Sequence, residues 1–466
     1  VILNGPDTVP ALLDLNSRGV ETASEAVDPY RDGPAGAFSE LELTPSGEAA
    51  VAEPSVTLPR ARPRPRPRTA RRRRRPRLRI LRVSASARQE LAWICTIYLA
   101  ARALLILVAV LNDAFAHHSL QSQLAHWDGL WYRELANNGY PRHVSYSQTT
   151  LGFFPLFSLT IWLVTPVVEL FTTHNQIWSS TLAGLIISAV GGLIATIMIH
   201  RLADGWWGRD AARRATVLFV VFPGSVVFSM VYSEGLLLPL AITCVWALQR
   251  KRWLLAGTCA AFGTAVQPVG LVLAPVCGVA ALIELWRHGW RAPSFRKAVG
   301  ATAMSGIGVL SFMAFLWYWT GNPMATFIAQ HHGWSEKTDY LALVHYVTRV
   351  APAFDPNHFN SPQTINLNWV FGVVGAVIMA AELYLLWKSR REVPLPAITW
   401  TLAITFLAFT SEYVPPLPRM MITAFPQLML VGRWVQGKWF AVIVFVNCIA
   451  LAGLSLLTFY GHALRP

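Results

Sequence analysis

From Leu91 to the end of the chain, apolar runs of about 20 residues recur, separated by short polar stretches. In hydrocarbon a chain can satisfy its backbone only as helices or as a closed barrel. A barrel would need short alternating segments, and these runs are continuous. The expectation is an all-α, polytopic helical membrane protein. Composition agrees: 54% of residues are hydrophobic and 14% charged, against about 25% charged in soluble domains.

The net charge of +14 suggests nucleic acid until it is located. Arg60, Arg62, Arg64, Arg66, Arg68, Arg71 to Arg75, Arg77, Arg79, Arg82 and Arg88 account for fourteen basic residues, and without them twenty-five basic residues face twenty-five acidic ones. The excess therefore belongs to one Arg/Pro-rich segment, 60–83. It directly precedes a membrane span, so a cytoplasmic, topology-setting tail in contact with anionic lipid is expected, and no nucleic-acid partner. Nucleic-acid binding is the alternative for such a run. Residues 1–59 are rich in Ala, Gly, Pro, Ser and acidic residues without periodicity, so residues 1–89 are expected to form a disordered tail. The five cysteines lie in apolar runs without CxxC spacing, as buried thiols would.

The tail places the N-terminus inside and the loop after the first span, 113–150, outside. Basic clusters at Arg209–Arg214, Arg250–Arg252, Arg287–Lys297 and Lys388–Arg391 mark further cytoplasmic turns. The intervening external segments fall at Met230–Gly235, Gln267–Gly270, 320–365 and Ser411–Arg419. Run 151–171 contains Pro155 and Pro166 and is expected to be short or re-entrant. The count is roughly eleven crossings, or twelve if that run spans. No internal repeat is visible.

Three polar-aromatic clusters fall on the external side. The first is His126-Trp127-Asp128-Gly129-Leu130-Trp131-Tyr132 through Gly139-Tyr140-Pro141. Gly139 before Tyr140-Pro141 is a helix stop, so a helix over about 127–138 is expected. With Trp127, Trp131 and Asn138 on one side, it would lie on the membrane surface, aromatic side down. Asp128 in its first turn is favoured as an ionised carboxylate and is the candidate base; a simple cap is the plainer alternative. The second cluster is Phe222–Ser225 with Tyr232–Gly235. Glu234, a carboxylate between apolar runs, is a candidate for a sugar hydroxyl, or a structural carboxylate at a helix N-terminus. The third is Trp317–Pro323 with Gln330, His331, His332 and Trp334. Aromatics stack on sugars but also form ordinary interfacial belts. Adjacent histidines are not metal-ligand spacing, though either suits a phosphate, as does Arg419.

Taken in order, these pieces resemble the PIG-V (GPI mannosyltransferase II) family and its bacterial relatives, which are GT-C-fold membrane glycosyltransferases. The matching segments are 126–140, Phe153-Phe154-Pro155-Leu156, Phe222–Ser225, Tyr232–Glu234, Gln267–Leu271, Gly321-Asn322-Pro323 with Gln330 and Trp334, and Pro418-Arg419 with Phe425-Pro426. They cover about residues 90–435. The resemblance implies a polyprenyl-phosphate sugar donor, most often mannose, and a glycolipid or other extracytoplasmic acceptor. Asp128 would be the general base of an inverting transfer, with His126, Trp127, Tyr132, Glu234, Gln330, His331, His332, Trp334 and Arg419 as substrate-binding candidates. One departure is Gln267-Pro268, where the family pattern leads one to expect Arg-Pro; Arg419 or Arg142 would then supply the missing cation. The chain has no Asp-x-Asp pair, and a monophosphate leaving group needs less charge than a diphosphate, so no metal or other cofactor is expected. The alternative function is a transporter or flippase of a lipid-linked sugar. It would want polar residues in mid-span, whereas these lie at one end.

Overall fold

A computed structural model of the chain describes residues 85–116, 119–172, 175–350, 367–412 and 415–459. Residues 1–84 of the expected tail, and the end of the expected loop at 351–365, lie outside the described residues; residues 85–89, expected to be disordered, instead begin the first helix.

The first helix, α1 (Ala85–Ala116), carries the first apolar run. A short α2 (Leu120–Leu124) and α3 (Asp128–Asn138) follow. Gly139, at φ 73°, ends α3 where the sequence placed the stop. A 3-10 turn at Thr150–Gly152 leads to α4 (Pro155–Glu169), which opens on proline. At about 1.5 Å per residue, fifteen residues reach about 22 Å, short of the ~30 Å hydrocarbon layer; Pro155 opens this short helix, whereas Pro166 lies inside it and does not break it. Asn175 caps α5 (Gln176–Trp207), its side-chain oxygen accepting from Trp178 N at 3.1 Å.

Next come α6 (Arg209–Val221), a 3-10 segment (Pro223–Ser229) and α7 (Glu234–Gln249). Chain direction bends by 68° between α6 and the 3-10 segment, at Phe222-Pro223, where proline cannot continue the helix. Then α8 (Trp253–Gly263), a second 3-10 segment (Pro268–Val272), α9 (Leu273–His288), α10 (Pro293–Ser305) and α11 (Ile307–Thr320) follow. The expected loop 320–365 holds two short helices, α12 (Ala325–Gly333) and α13 (Ala342–Val350). The chain continues through α14 (Leu367–Lys388), α15 (Leu395–Thr410), α16 (Pro418–Thr423), α17 (Phe425–Trp434) and α18 (Gly437–Phe459). Among the described residues the sole β pairing is a bridge between Thr338 and Ser411.

Among the described residues, six helical spans are long and apolar enough to cross a membrane, with Pro268–His288 and Pro293–Thr320 each counted as one; the bent pair around Pro223 makes a seventh candidate, and four shorter apolar helices accompany them. The protein is a multi-pass helical membrane protein. The largest core runs through α1, α5, α6, α7, α9, α15 and α17. Three of the five cysteines, Cys244, Cys259 and Cys277, are buried there as free thiols, while Cys95 and Cys448 are half-buried.

Candidate active site

Four chain segments far apart in sequence meet at one end of the bundle: the start of α3, the loop into α7, the turn between α8 and α9, and α16. Backbone contacts set their spacing. Val231 N donates to Leu124 O at 2.9 Å. A Cβ on Gly129 would stand 3.0 Å from Val231 O, so α3 rests directly on the loop before α7. A Cβ on Gly224 would stand 2.1 Å from Pro418 O, which makes glycine the residue that lets α16 approach the 3-10 segment. Arg102, buried in α1, ties that segment down. It donates to Ser225 O, to Ser225 Oγ at 2.9 Å, to Ser229 Oγ at 3.1 Å and to Val220 O at 3.2 Å.

Asp128 opens α3. The residue before it, Trp127, has φ 55° and ψ −124°, a region that costs an L-residue about 1–3 kcal/mol. Its ring packs on the main core and meets His126 edge-on at 5.1 Å. Asp128 Oδ2 accepts from Arg419 Nη1 as an ion pair, and Arg419 Nε stands 3.5 Å from Glu234 Oε1. One guanidinium thus serves two carboxylates. Its Cζ also lies 5.5 Å from the Tyr232 ring centre. Burial alone would lower the Arg419 pKa, but Asp128, Glu234 and Tyr232 together hold it well above its usual value.

Glu234 is the first residue of α7 and only 3% exposed. Its Oε2 makes no hydrogen bond within the protein. Tyr132, one turn after Asp128, donates to Ser233 Oγ at 2.8 Å, and Ser233 donates to Gln267 Oε1 at 2.7 Å. The Gln267 side chain lies beside Glu234. Burial first, then the charges of Asp128 and Glu234, raise the Tyr132 pKa, so its hydroxyl stays a donor. The two turns expected on one side, at 230–235 and 267–270, therefore meet through side chains.

Of the sequence candidates, Asp128, Glu234 and Arg419 share one ion-pair network, with Tyr132 hydrogen-bonded beside it. Gln330 and Trp334 support the loop instead. Gln330 Nε2 donates to Gly152 O at 2.8 Å, and Trp334 packs edge-on to Trp131 and Phe153, each at 5.4 Å. His331 and His332 are exposed. Among the described ring contacts they meet one another at 4.8 Å, and His332 meets Tyr146 at 5.1 Å; neither is placed against Asp128. Arg142, the other proposed cation, sits over Trp319 at 3.9 Å.

The aromatic side of α3 needs correction. It does not lie down on lipid: Trp131 packs on Phe153 and Trp334, and Tyr132 is buried against Phe153 and Phe157. Leu130, Glu134 and Asn138 are the exposed side chains of α3. Rings on 153, 157 and 334 offer closer packing than an interface does, and 334 is far away in sequence. Tyr232 and Ser233, from the second cluster, and Gln267 join the site through their side chains. Gln267 was visible only as a departure from the family pattern.

Among the described residues, no three His, Cys, Asp or Glu side chains gather as a metal site.

Fold and site together define a multi-pass membrane protein in which Asp128, Glu234 and Arg419, from three separate segments, form one ion-pair network. Residues 97–334, just over half of the chain, match the family model for mannosyltransferase (PIG-V), and the chain belongs to that family of membrane glycosyltransferases. No curated protein sequence matches it significantly. Among solved structures, it is similar to the Archaeoglobus fulgidus oligosaccharyltransferase AglB in complex with an inhibitory peptide and a dolichol-phosphate. That match has 14% identity and a TM-score of 0.46, and covers 79% of this chain and 55% of that one. It is also similar to ArnT from Cupriavidus metallidurans bound to undecaprenyl phosphate, with 15% identity and a TM-score of 0.45, covering 77% of this chain and 63% of that one. The chain thus spans a little over half the length of these larger proteins.

Proposed function

We propose that the protein transfers a sugar, mannose by family, from a polyprenyl-phosphate donor to a hydroxyl of a glycolipid or other extracytoplasmic acceptor. Asp128 takes the acceptor proton. The acceptor oxygen attacks the anomeric carbon from the face opposite the phosphate, the bond from that carbon to the phosphate oxygen breaks, and the configuration inverts. Polyprenyl phosphate leaves. Arg419 faces the charge that grows on it, as fixed cationic donors do where charge develops. Glu234, buried with one free oxygen, is the group for a sugar hydroxyl. His126 and Trp127 directly precede Asp128, and Tyr132 is buried one turn after it, bonded to Ser233.

The observation that carries this reading is the pairing of Asp128 with Arg419, a base and a phosphate-binding cation held in contact from opposite ends of the chain. Arg419 supplies the cation that the Gln267 departure removes. Positive-inside patterning supports a cytoplasmic N-terminus and an extracytoplasmic site.

The test is reconstitution with a radiolabelled polyprenyl-phosphate mannose. Wild type should form a new glycosidic product, whereas movement of label without product would mean a flippase. Asp128→Asn should lose about 10²–10⁴-fold in transfer rate, measured per folded protein. Wild-type transfer by that variant would sink the base assignment.

A further inference from the structure

Arg419 is the cation that the proposed chemistry needs for the donor phosphate, yet without donor it is already engaged by two carboxylates. A guanidinium presents a planar fork of N–H donors, and carboxylate and phosphate oxygens fit that fork in the same way. Asp128 therefore sits where a phosphate oxygen would sit.

The two carboxylates are not equivalent. Glu234 is 3% exposed and fixed at the head of α7, where Gly235 packs directly on Ser188 of α5. The Asp128 side chain is 32% exposed and follows a backbone step, at Trp127, that is held under strain. One anion is built in and the other stands at the open side.

We infer that the donor phosphate displaces Asp128 from Arg419 while Glu234 keeps hold of the guanidinium, so that seating the donor is what frees the base. This rests on the roles given to Asp128 and Arg419 above. No bond is made or broken in the exchange: one oxygen acceptor replaces another on the same N–H donors. It imposes an order in which the donor binds first and the acceptor proton finds its base only afterwards. An acceptor arriving alone meets a carboxylate whose Oδ2 is held by Arg419.

The exchange makes a prediction opposite to that of an ordinary binding-site mutation. The probe is undecaprenyl monophosphate, titrated into the full chain in neutral phosphatidylcholine nanodiscs. Asp128→Asn removes the competing anion and should bind the probe roughly tenfold more tightly than wild type. Arg419→Gln should bind it at least about tenfold more weakly. Glu234→Gln should gain less than Asp128→Asn, because it removes the anchor rather than the competitor. Asp128→Ser serves if the asparagine variant does not fold, with the same expected tightening. Unchanged or weaker binding by the Asp128 variants would overturn the exchange, as would an equal or larger gain in Glu234→Gln. The readout is separate from catalysis: the base assignment fails if Asp128→Asn transfers sugar normally, and the exchange fails on affinity whatever the transfer rate.

Discussion

Gly191 in α5 and Gly235 at the head of α7 touch backbone to backbone. A Cβ built on Gly191 would stand 1.7 Å from Gly235 O, and one built on Gly235 would stand 2.4 Å from Ser188 Cα. The obstruction in both cases is main chain, which no rotamer change can move. This contact fixes the height of Glu234 against α5.

Alanine at either glycine should therefore push α7 away. The expected cost is at the upper end of the overpacking range, about 3 kcal/mol, read as a lower midpoint of thermal unfolding in detergent. Gly205, with open space around its Cβ position, is the control, where alanine should leave the midpoint unchanged or raise it.

Arg419→Lys keeps the charge but loses the fork that spans two carboxylates and, in the proposed reaction, a phosphate. Transfer should fall about 10²-fold, with kcat falling more than KM rises. Activity within a factor of two of wild type would mean that a point charge suffices there.

Tyr132→Phe removes one donor and leaves Ser233 still bonded to Gln267. The expected cost is about 1 kcal/mol of stability. Ser233→Ala removes the hydroxyl that both neighbours use, leaving the buried Tyr132 hydroxyl and the Gln267 carbonyl without it. It should cost more than Tyr132→Phe, by about 1–2 kcal/mol. Chemical unfolding of the two variants side by side checks the order.

Arg102→Met keeps an unbranched apolar stem and removes four hydrogen bonds to the Val220–Ser229 segment. Two carbonyls and two hydroxyls lose a donor in a buried place. The expected loss is about 2–4 kcal/mol. Because Gly224 of the same segment abuts Pro418, transfer should also fall in the molecules that remain folded, measured as rate per folded protein.

The helical membrane class was plain in the sequence because it follows from run length alone. The stop at Gly139, the short run after Pro155 and the turn positions at 230–235 and 267–270 follow from proline, glycine and charge, and these act locally. Asp128 and Glu234 stood out because carboxylates are rare amid apolar runs. What local rules could not supply was who meets whom. Asp128 and Arg419 are 291 positions apart, and nothing in either neighbourhood encodes the other. The inward turn of Trp131 was missed for the same reason, since its partner Trp334 belongs to a different cluster. Gln267 was legible as an oddity but not as a hydrogen-bond partner, because an amide reads as unremarkable until Ser233 is placed beside it.

The Asp128–Arg419 pair also bears on how the protein is made. Membrane chains enter the bilayer from one end to the other, and α3 is in place long before α16 is synthesised. Until Arg419 arrives, Asp128 has no guanidinium and Glu234 is a carboxylate packed among apolar helices without its counterion. In the proposed reaction the assembling bundle cannot yet seat the lipid-linked donor, and burying Glu234 stays costly until α16 docks. The docking of α16 onto α3 and α7 is thus the step that completes the site.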